Sequence, residues 1–204
     1  MSTEQEPEQT TGEAEPPAAA PPKRRIWLLA VVAGLAYAVD LVTKIIVTAT
    51  LEGEEPIRIL GGAVYLQLVR NPYAAFGMDF GGTWILAIVA MLVVGAIIWF
   101  SRRLRSAGWA VGLGLILAGA LGNLTDRIFR APGPLHGHVV DFISAFQPNG
   151  DFFPVFNAAD SAISIGAVVI VLLSLLGKDY DGTSTKTKRT ERAEEAGKAG
   201  EDKA

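Results

Sequence analysis

Residues 119–164 read GALGNLTDRIFRAPGPLHGHVVDFISAFQPNGDFFPVFNAADSAIS, and the fold turns on this stretch. Apolar runs enter and leave it, while Asp126, Asp141 and Asp160 lie inside or beside those runs. Asp151 falls in a polar loop and is easily dismissed. A carboxylate at membrane depth is expensive and marks a functional site by default. The rest of the chain decides where these acids lie.

Working outward, the apolar residues are bunched. The 204-residue chain is 50% hydrophobic, with a mean hydropathy of +0.33, which suits one domain with a few membrane spans. Four apolar runs each approach the ~20 residues that an apolar helix needs to cross hydrocarbon. They cover about 26–51, 80–101, 106–125 and 156–177. The expected architecture is an all-α membrane protein, a bundle of four transmembrane helices with a small extracytoplasmic β element. Residues 1–22 are acidic and proline-rich, and 179–204 mix Lys, Arg, Glu and Gly. Both read as disordered tails flanking a membrane domain at 23–178. Residues 1–22 are not a secretory signal, because the basic residues and the apolar run come after them.

The basic residues set the expected orientation. Lys23, Arg24 and Arg25, then Arg102, Arg103 and Arg105, then Lys178 gather at one set of span ends. The positive-inside rule puts these ends and both termini in the cytoplasm. Two segments are then outside. The first carries IRILGGAVYLQLVRN, whose β-branched and aromatic residues around Gly61-Gly62 predict a strand pair. A bare sheet edge cannot sit in lipid, so this pair should rest at the outer surface. The net charge of −3 says little, since most charges lie in the tails. With no cysteine, disulfides, thiol catalysis and thiolate metal sites are excluded. Only His136 and His138 are present and there is no HExxH, so nothing implies a metal, a cofactor or a nucleic-acid partner.

At 1.5 Å per residue, the polar residues of three spans reach one level. From the inner ends, Asp40 stands at ~21 Å and Lys44 at ~27 Å. Asn123 is at ~22 Å, Asp126 at ~27 Å, Asp160 at ~24 Å and Asn157 at ~28 Å. Asn123, Asp126 and Arg127 share a helix face, as do Asn157, Asp160 and Ser161, while Asp40 and Lys44 are an i, i+4 pair. Asp141 enters from a loop behind the strand-like Val139-Val140. Asp40 with Lys44 reads equally well as an intrahelical ion pair and as part of a site. Asp126 with Arg127 reads as a structural pairing at a helix end. Lys44, Arg127 and Arg130 are the nearby cations, and Asp40 and Asp126 compete for them. Asp141 and Asp160 are left without an assigned cation. Two such acids in a poorly solvated site cannot both ionise cheaply, so one keeps a proton. That arrangement serves metal-free peptide hydrolysis. It serves equally a carrier of protons or cations, and physics alone ranks the two close together.

The motifs resemble those of the lipoprotein signal peptidases, the signal peptidase II family of bacterial membrane aspartyl peptidases. The matching pieces are Asp40-x-x-x-Lys44, Arg70-Asn71 with Ala74-Ala75-Phe76, GNLTDR ending at Arg127, HVVDF ending at Phe142 and FNAAD ending at Asp160. Together they span about residues 26–177. The resemblance implies that Asp141 and Asp160 are catalytic. It makes Asn71, Asn123, Asp126, Arg127, Asn157, Asp40 and Lys44 supporting or substrate-binding residues. It implies a substrate as well: a prolipoprotein with a diacylglyceryl cysteine, cleaved before that cysteine, with membrane lipids around it and the site near the extracytoplasmic face of a bacterial cell membrane. Two departures stand out. Tyr73 occupies a position that is usually Gly in the family, and 130–136 (RAPGPLH) lengthens the link from Asp126 to Asp141 as an expected outward loop.

Overall fold

The computed structural model describes residues 23–73, 82–185 and 190. The expected tail at 1–22, residues 186–189 and 191–204 of the expected tail at 179–204, and the Ala74-Ala75-Phe76 motif lie outside the described residues. Four apolar helices form: α1 (Ile26–Thr50), α2 (Thr83–Ser101), α3 (Ala107–Phe129) and α4 (Ala158–Leu175). Each is long and apolar enough to cross a membrane, with mean hydropathy between 1.6 and 2.5. Span 3 runs one turn past its expected end at Thr125, so Asp126 and Arg127 lie within its last turn rather than after it. Span 4 begins two residues later than expected, because Asn157 leaves helical geometry and caps it.

α3 is the centre of the bundle. Half of its apolar window (50%) is buried, against 17% in each of the other three. Large apolar residues on the remaining helices, such as Leu35, Leu92 and Val168, face outward instead. Charge inside and apolar surface outside is the inverse of a water-soluble protein, as lipid requires. Glycine lets the helices approach. A Cβ on Gly119 would lie 2.3 Å from the Ala159 carbonyl oxygen, and one on Gly122 would lie 2.3 Å from Asp40 Oδ2. Small residues at such crossings are the usual means of packing in lipid, where no hydrophobic force drives helices together.

The expected strand pair is part of a larger antiparallel sheet in the order β1-β2-β3, with β1 (Ile57–Ile59), β2 (Val64–Asn71) and β3 (Val139–Ala145). The third strand extends well beyond the Val139-Val140 dipeptide read as strand-like. It reads VVDFISA, buried on both faces at its start, so the alternation that betrays a half-buried strand is missing. In register, Val69 faces Asp141 and Asn71 faces Val139, with an irregularity between Leu66 and Val69. The sheet rests on the end of α1 through Val47, Leu51, Val140 and Phe142. Phe156 pairs with Ile143 through two backbone hydrogen bonds of 2.8 and 3.0 Å, which brings the entry of α4 beside β3.

The long link between α3 and β3 is closed at its base. The Gly137 N–H donates to the Arg127 carbonyl and the His138 N–H to the Ala131 carbonyl, both at 3.0 Å. The link is therefore pinned at its base and β3 keeps its place.

Gly119 tests the helix crossing. Gly119→Ala drives a methyl against a backbone oxygen and should destabilise by about 1–3 kcal/mol, the usual cost of overpacking. Gly95→Ala, where a Cβ meets nothing within 4 Å, should not destabilise. Thermal unfolding in detergent separates the two; equal midpoints would mean that the α3–α4 contact yields freely.

Candidate active site

The polar residues of three helices and the sheet meet at the sheet end of the bundle. Lys44 is the hub, with only 1% of its surface exposed. Its Nζ lies 2.9 Å from Asp40 Oδ2 and 2.8 Å from Asp126 Oδ2, and it donates to Asn123 Oδ1 at 3.1 Å. The intrahelical pair is thus present, and it reaches a second helix. Asp40 Oδ1 accepts the Ala159 N–H at 2.9 Å, tying α1 to the first turn of α4.

The expected pairing of Asp126 with Arg127 is corrected. Asp126 is held by Lys44 and by Arg130, one turn further along α3. Its Oδ2 also accepts the Val140 N–H at 3.2 Å, fastening β3 to α3. Arg127 instead donates from Nη1 to the Asn123 carbonyl at 3.1 Å. Consecutive residues on a helix point about a quarter-turn apart, whereas i, i+4 residues stack. The Asp126–Arg130 spacing was the available signal, and of the cations for which Asp40 and Asp126 were expected to compete, Lys44 and Arg130 are the two that Asp126 takes. The Ala159 N–H offered to Asp40 left no trace in the sequence.

Asn157 binds both remaining acids. Its Nδ2 lies 2.7 Å from Asp141 Oδ1, and its backbone N–H donates to Asp160 Oδ2 at 3.1 Å. Its Oδ1 accepts the Asp160 N–H at 2.9 Å, closing a reciprocal capping box on α4. Such a box satisfies two otherwise orphaned backbone donors. Asn71 Nδ2 donates to Asp141 Oδ2 at 2.8 Å, and Asn123 Nδ2 donates to Asp160 Oδ1 at 2.8 Å. Among the described residues neither Asp141 nor Asp160 makes an ion pair. Asp141 is buried and Asp160 half-buried. Burial, then the charge of Asp160, pushes the Asp141 carboxyl up to about 7, against the opposing pull of Asn71, Asn157 and Lys44. Arg127 lies within the electrostatic reach of Asp160, Asp141 and Asp126.

Tyr73 is half exposed just past Asn71, and its N–H donates to Asn71 Oδ1 at 2.8 Å. Pro72, Tyr73, Thr83, Pro132, His136 and His138 border an open cleft of about 480 Å³ at this end. No group of three or more metal-binding side chains occurs among the described residues.

A four-helix bundle of membrane-spanning length that gathers paired acids at one end defines a class of integral membrane proteins that work through intramembrane carboxylates. Residues 32–176 match the family model Peptidase_A8, signal peptidase (SPase) II, so the chain belongs to the signal peptidase II family of aspartic endopeptidases. It is 50% identical over 173 residues to a protein of Rhodococcus jostii (strain RHA1) named lipoprotein signal peptidase, covering 83% of this chain and 85% of that one. A protein of the same name from Mycobacterium tuberculosis (strain ATCC 25618 / H37Rv) is 49% identical over 174 residues, with 85% and 83% covered. A bacterial membrane enzyme structure obtained by the in meso method at 2.3 Å resolution superposes with a TM-score of 0.66 at 29% identity, covering 77% of this chain and 93% of that chain. The family match sets the carrier reading aside.

Lys44→Met should leave Asp40 and Asp126 buried without their shared cation. Breaking a buried pair from one side costs about 3–5 kcal/mol. The triple variant Asp40→Asn, Lys44→Met, Asp126→Asn should recover part of that loss. Unfolding midpoints in detergent check both; a Lys44→Met protein as stable as the parent would remove the hub from this account.

Proposed function

We propose that this peptidase removes the signal peptide from prolipoproteins whose cysteine carries diacylglycerol, cutting before that cysteine with Asp141 and Asp160. The observation that carries the reading is Asn157, hydrogen-bonded to both carboxylates while neither has an ion-pair partner among the described residues. Asn71, Asn123, Asp126, Arg127, Asp40 and Lys44 orient this pair or the peptide. The basic span ends lie in the cytoplasm with both termini, and the acids lie near the extracytoplasmic face, where the cleavage site of a signal-peptide helix emerges.

Roles follow from environment. Asp141 is the buried acid raised to about 7 and holds the shared proton. Asp160 is the less buried of the two and stands at the third position of α4, where the helix dipole favours a negative charge. Asp160 takes a proton from water, and the hydroxyl so formed attacks the scissile carbonyl carbon. Asp141 gives its proton to the carbonyl oxygen, producing a tetrahedral gem-diol. As the C–N bond breaks, Asp160 protonates the departing cysteine nitrogen and a gem-diol hydroxyl returns its proton to Asp141. The products are the signal peptide's carboxyl group and a free α-amine, and both aspartates regain their starting states.

Asp141→Asn and Asp160→Asn should each lower cleavage by at least roughly 10²–10⁴-fold in a gel-shift assay with diacylglyceryl prolipoprotein. The double variant should be little worse, because residues acting as a unit are strongly non-additive. Near-normal turnover by either folded variant would overturn the pair.

The pH dependence follows with its sign. Asp141 is protonated in the folded protein from its ordinary 3.8 up to about 7. kcat/KM should fall as pH rises through an apparent value near 7 that belongs to the pair. Asn71→Leu removes a hydrogen bond that lowers this value, so the alkaline limb should move upward. Stability linked to Asp141 is lost over the same window, because the folded state binds the proton that the unfolded state has released. Asp141→Asn should therefore gain stability over the parent between pH 4 and pH 7. A downward move of the limb in Asn71→Leu would reverse the assigned roles.

A further inference from the structure

The basic end of the bundle, opposite the acids, carries charge that the reaction does not use. Four hydrogen bonds to backbone carbonyls gather it. The Arg25 N–H donates to the Leu104 carbonyl at 2.9 Å, seating the start of α1 on the loop that holds Arg102, Arg103 and Arg105. The Arg105 and Ser106 N–H groups donate to the Tyr180 carbonyl at 2.8 and 2.9 Å. Trp109 Nε1 donates to the Lys178 carbonyl at 2.8 Å. Residues 179–185, placed in the tail by composition, thus fold back with Lys178 against the α2–α3 loop. Tyr180 packs on Phe100 and Trp109, and Lys178 bridges to Ser184.

Five arginines and two lysines therefore share one end: 24, 25, 102, 103 and 105, with 23 and 178. None of them enters an ion pair among the described residues. Among the described residues the acids at this end are Asp179 and Asp181 of the returning turn, where Asp181 accepts from the Thr183 N–H and hydroxyl. Arg25 Nε is buried and finds no hydrogen-bond partner among the described residues. An unsatisfied buried donor on a charged group is costly, and an anion would satisfy it. Trp27 and Trp99 stand outward beside this cluster, 62% and 64% exposed, and Arg103 stacks over the Trp99 ring at 5.3 Å. Indole rings turned outward at span ends mark the level of lipid headgroups.

We propose that this end is a binding site for an anionic phospholipid. Its phosphate is held between Arg25 and the Arg102–Arg105 loop, and its acyl chains lie along α1 and α2 beside Trp27 and Trp99. Charge complementarity selects the occupant, since basic pockets between span ends take anionic headgroups and zwitterionic lipid offers no net charge. The site is independent of the peptidase reaction.

Native mass spectrometry of the full chain in detergent, with equal amounts of phosphatidylglycerol and phosphatidylcholine, tests it. Phosphatidylglycerol adducts should predominate several-fold. Arg25→Gln with Arg105→Gln should abolish the preference, while Arg58→Gln, in the sheet at the other end, should keep it. Arg102→Gln with Arg103→Gln changes two exposed side chains and should reduce the preference even if the first variant does not fold. Excess soluble glycerol phosphate should leave the adducts in place. Equal adducts of the two lipids, a preference that survives both double variants, or displacement by glycerol phosphate would each overturn the proposal.

Discussion

A lysine ammonium shut inside apolar helices governs this structure. Lys44 cannot be solvated and cannot be left alone, so the chain must bring it acceptors. It finds them on α1 and α3, and Asp40 in turn takes a backbone N–H from α4. Packing in lipid lacks the hydrophobic force that presses helices together in water. Apolar faces alone would tolerate several rotations of one helix on another. The ammonium admits one, in which Asp40, Asp126 and Asn123 all point inward at one level. What this buried charge contributes is uniqueness of arrangement more than net stability, a role attested for polar groups at other helix interfaces.

Four acids meet at this end, and the surroundings divide them. Asp40 and Asp126 receive cations, while Asp141 and Asp160 receive amides. Asn123 stands at the boundary. Its carbonyl oxygen accepts from Lys44 and from Asn157, and its amide donates to Asp160. An asparagine fixed at one end by an ammonium has its other end fixed too, because the amide cannot flip without opposing donor to donor. The charged cluster thereby orients the uncharged contacts beside it without neutralising the acids they hold. An amide positions a carboxylate while discouraging its proton far less than an ammonium would.

Much of this was legible because membrane depth is a one-dimensional problem. Counting residues along each apolar run placed Asp40, Asn123 and Asp160 at a common height, and the structure brings their neighbourhoods into contact. Contacts between helices and sheet were not legible. The Val140 N–H that Asp126 accepts belongs to a strand whose two-sided burial erases its alternation. Arg130 was seen as a nearby cation, but its stacking on Asp126 required α3 to continue past Thr125. Asn157 fitted a helical face on spacing alone, yet it lies just outside the helix. The Asn-x-x-Asp pattern before an apolar run was a capping signal that periodicity overrode. Distances along a chain predict neighbours within an element well, and neighbours between elements only where a shared constraint such as depth applies.

Asp160 closes the first turn of its own helix, and Asn157 joins that closure to Asp141. Helical geometry at the start of α4 and the geometry of the paired acids are therefore one structural event. In the order of synthesis α4 is the last of the four spans to leave the ribosome. A nascent chain holding α1, α2, α3 and the whole sheet has Asp141 in hand but neither Asn157 nor its second acid. The polar cluster is therefore completed only when the last span docks, after the other three helices and the sheet have been made.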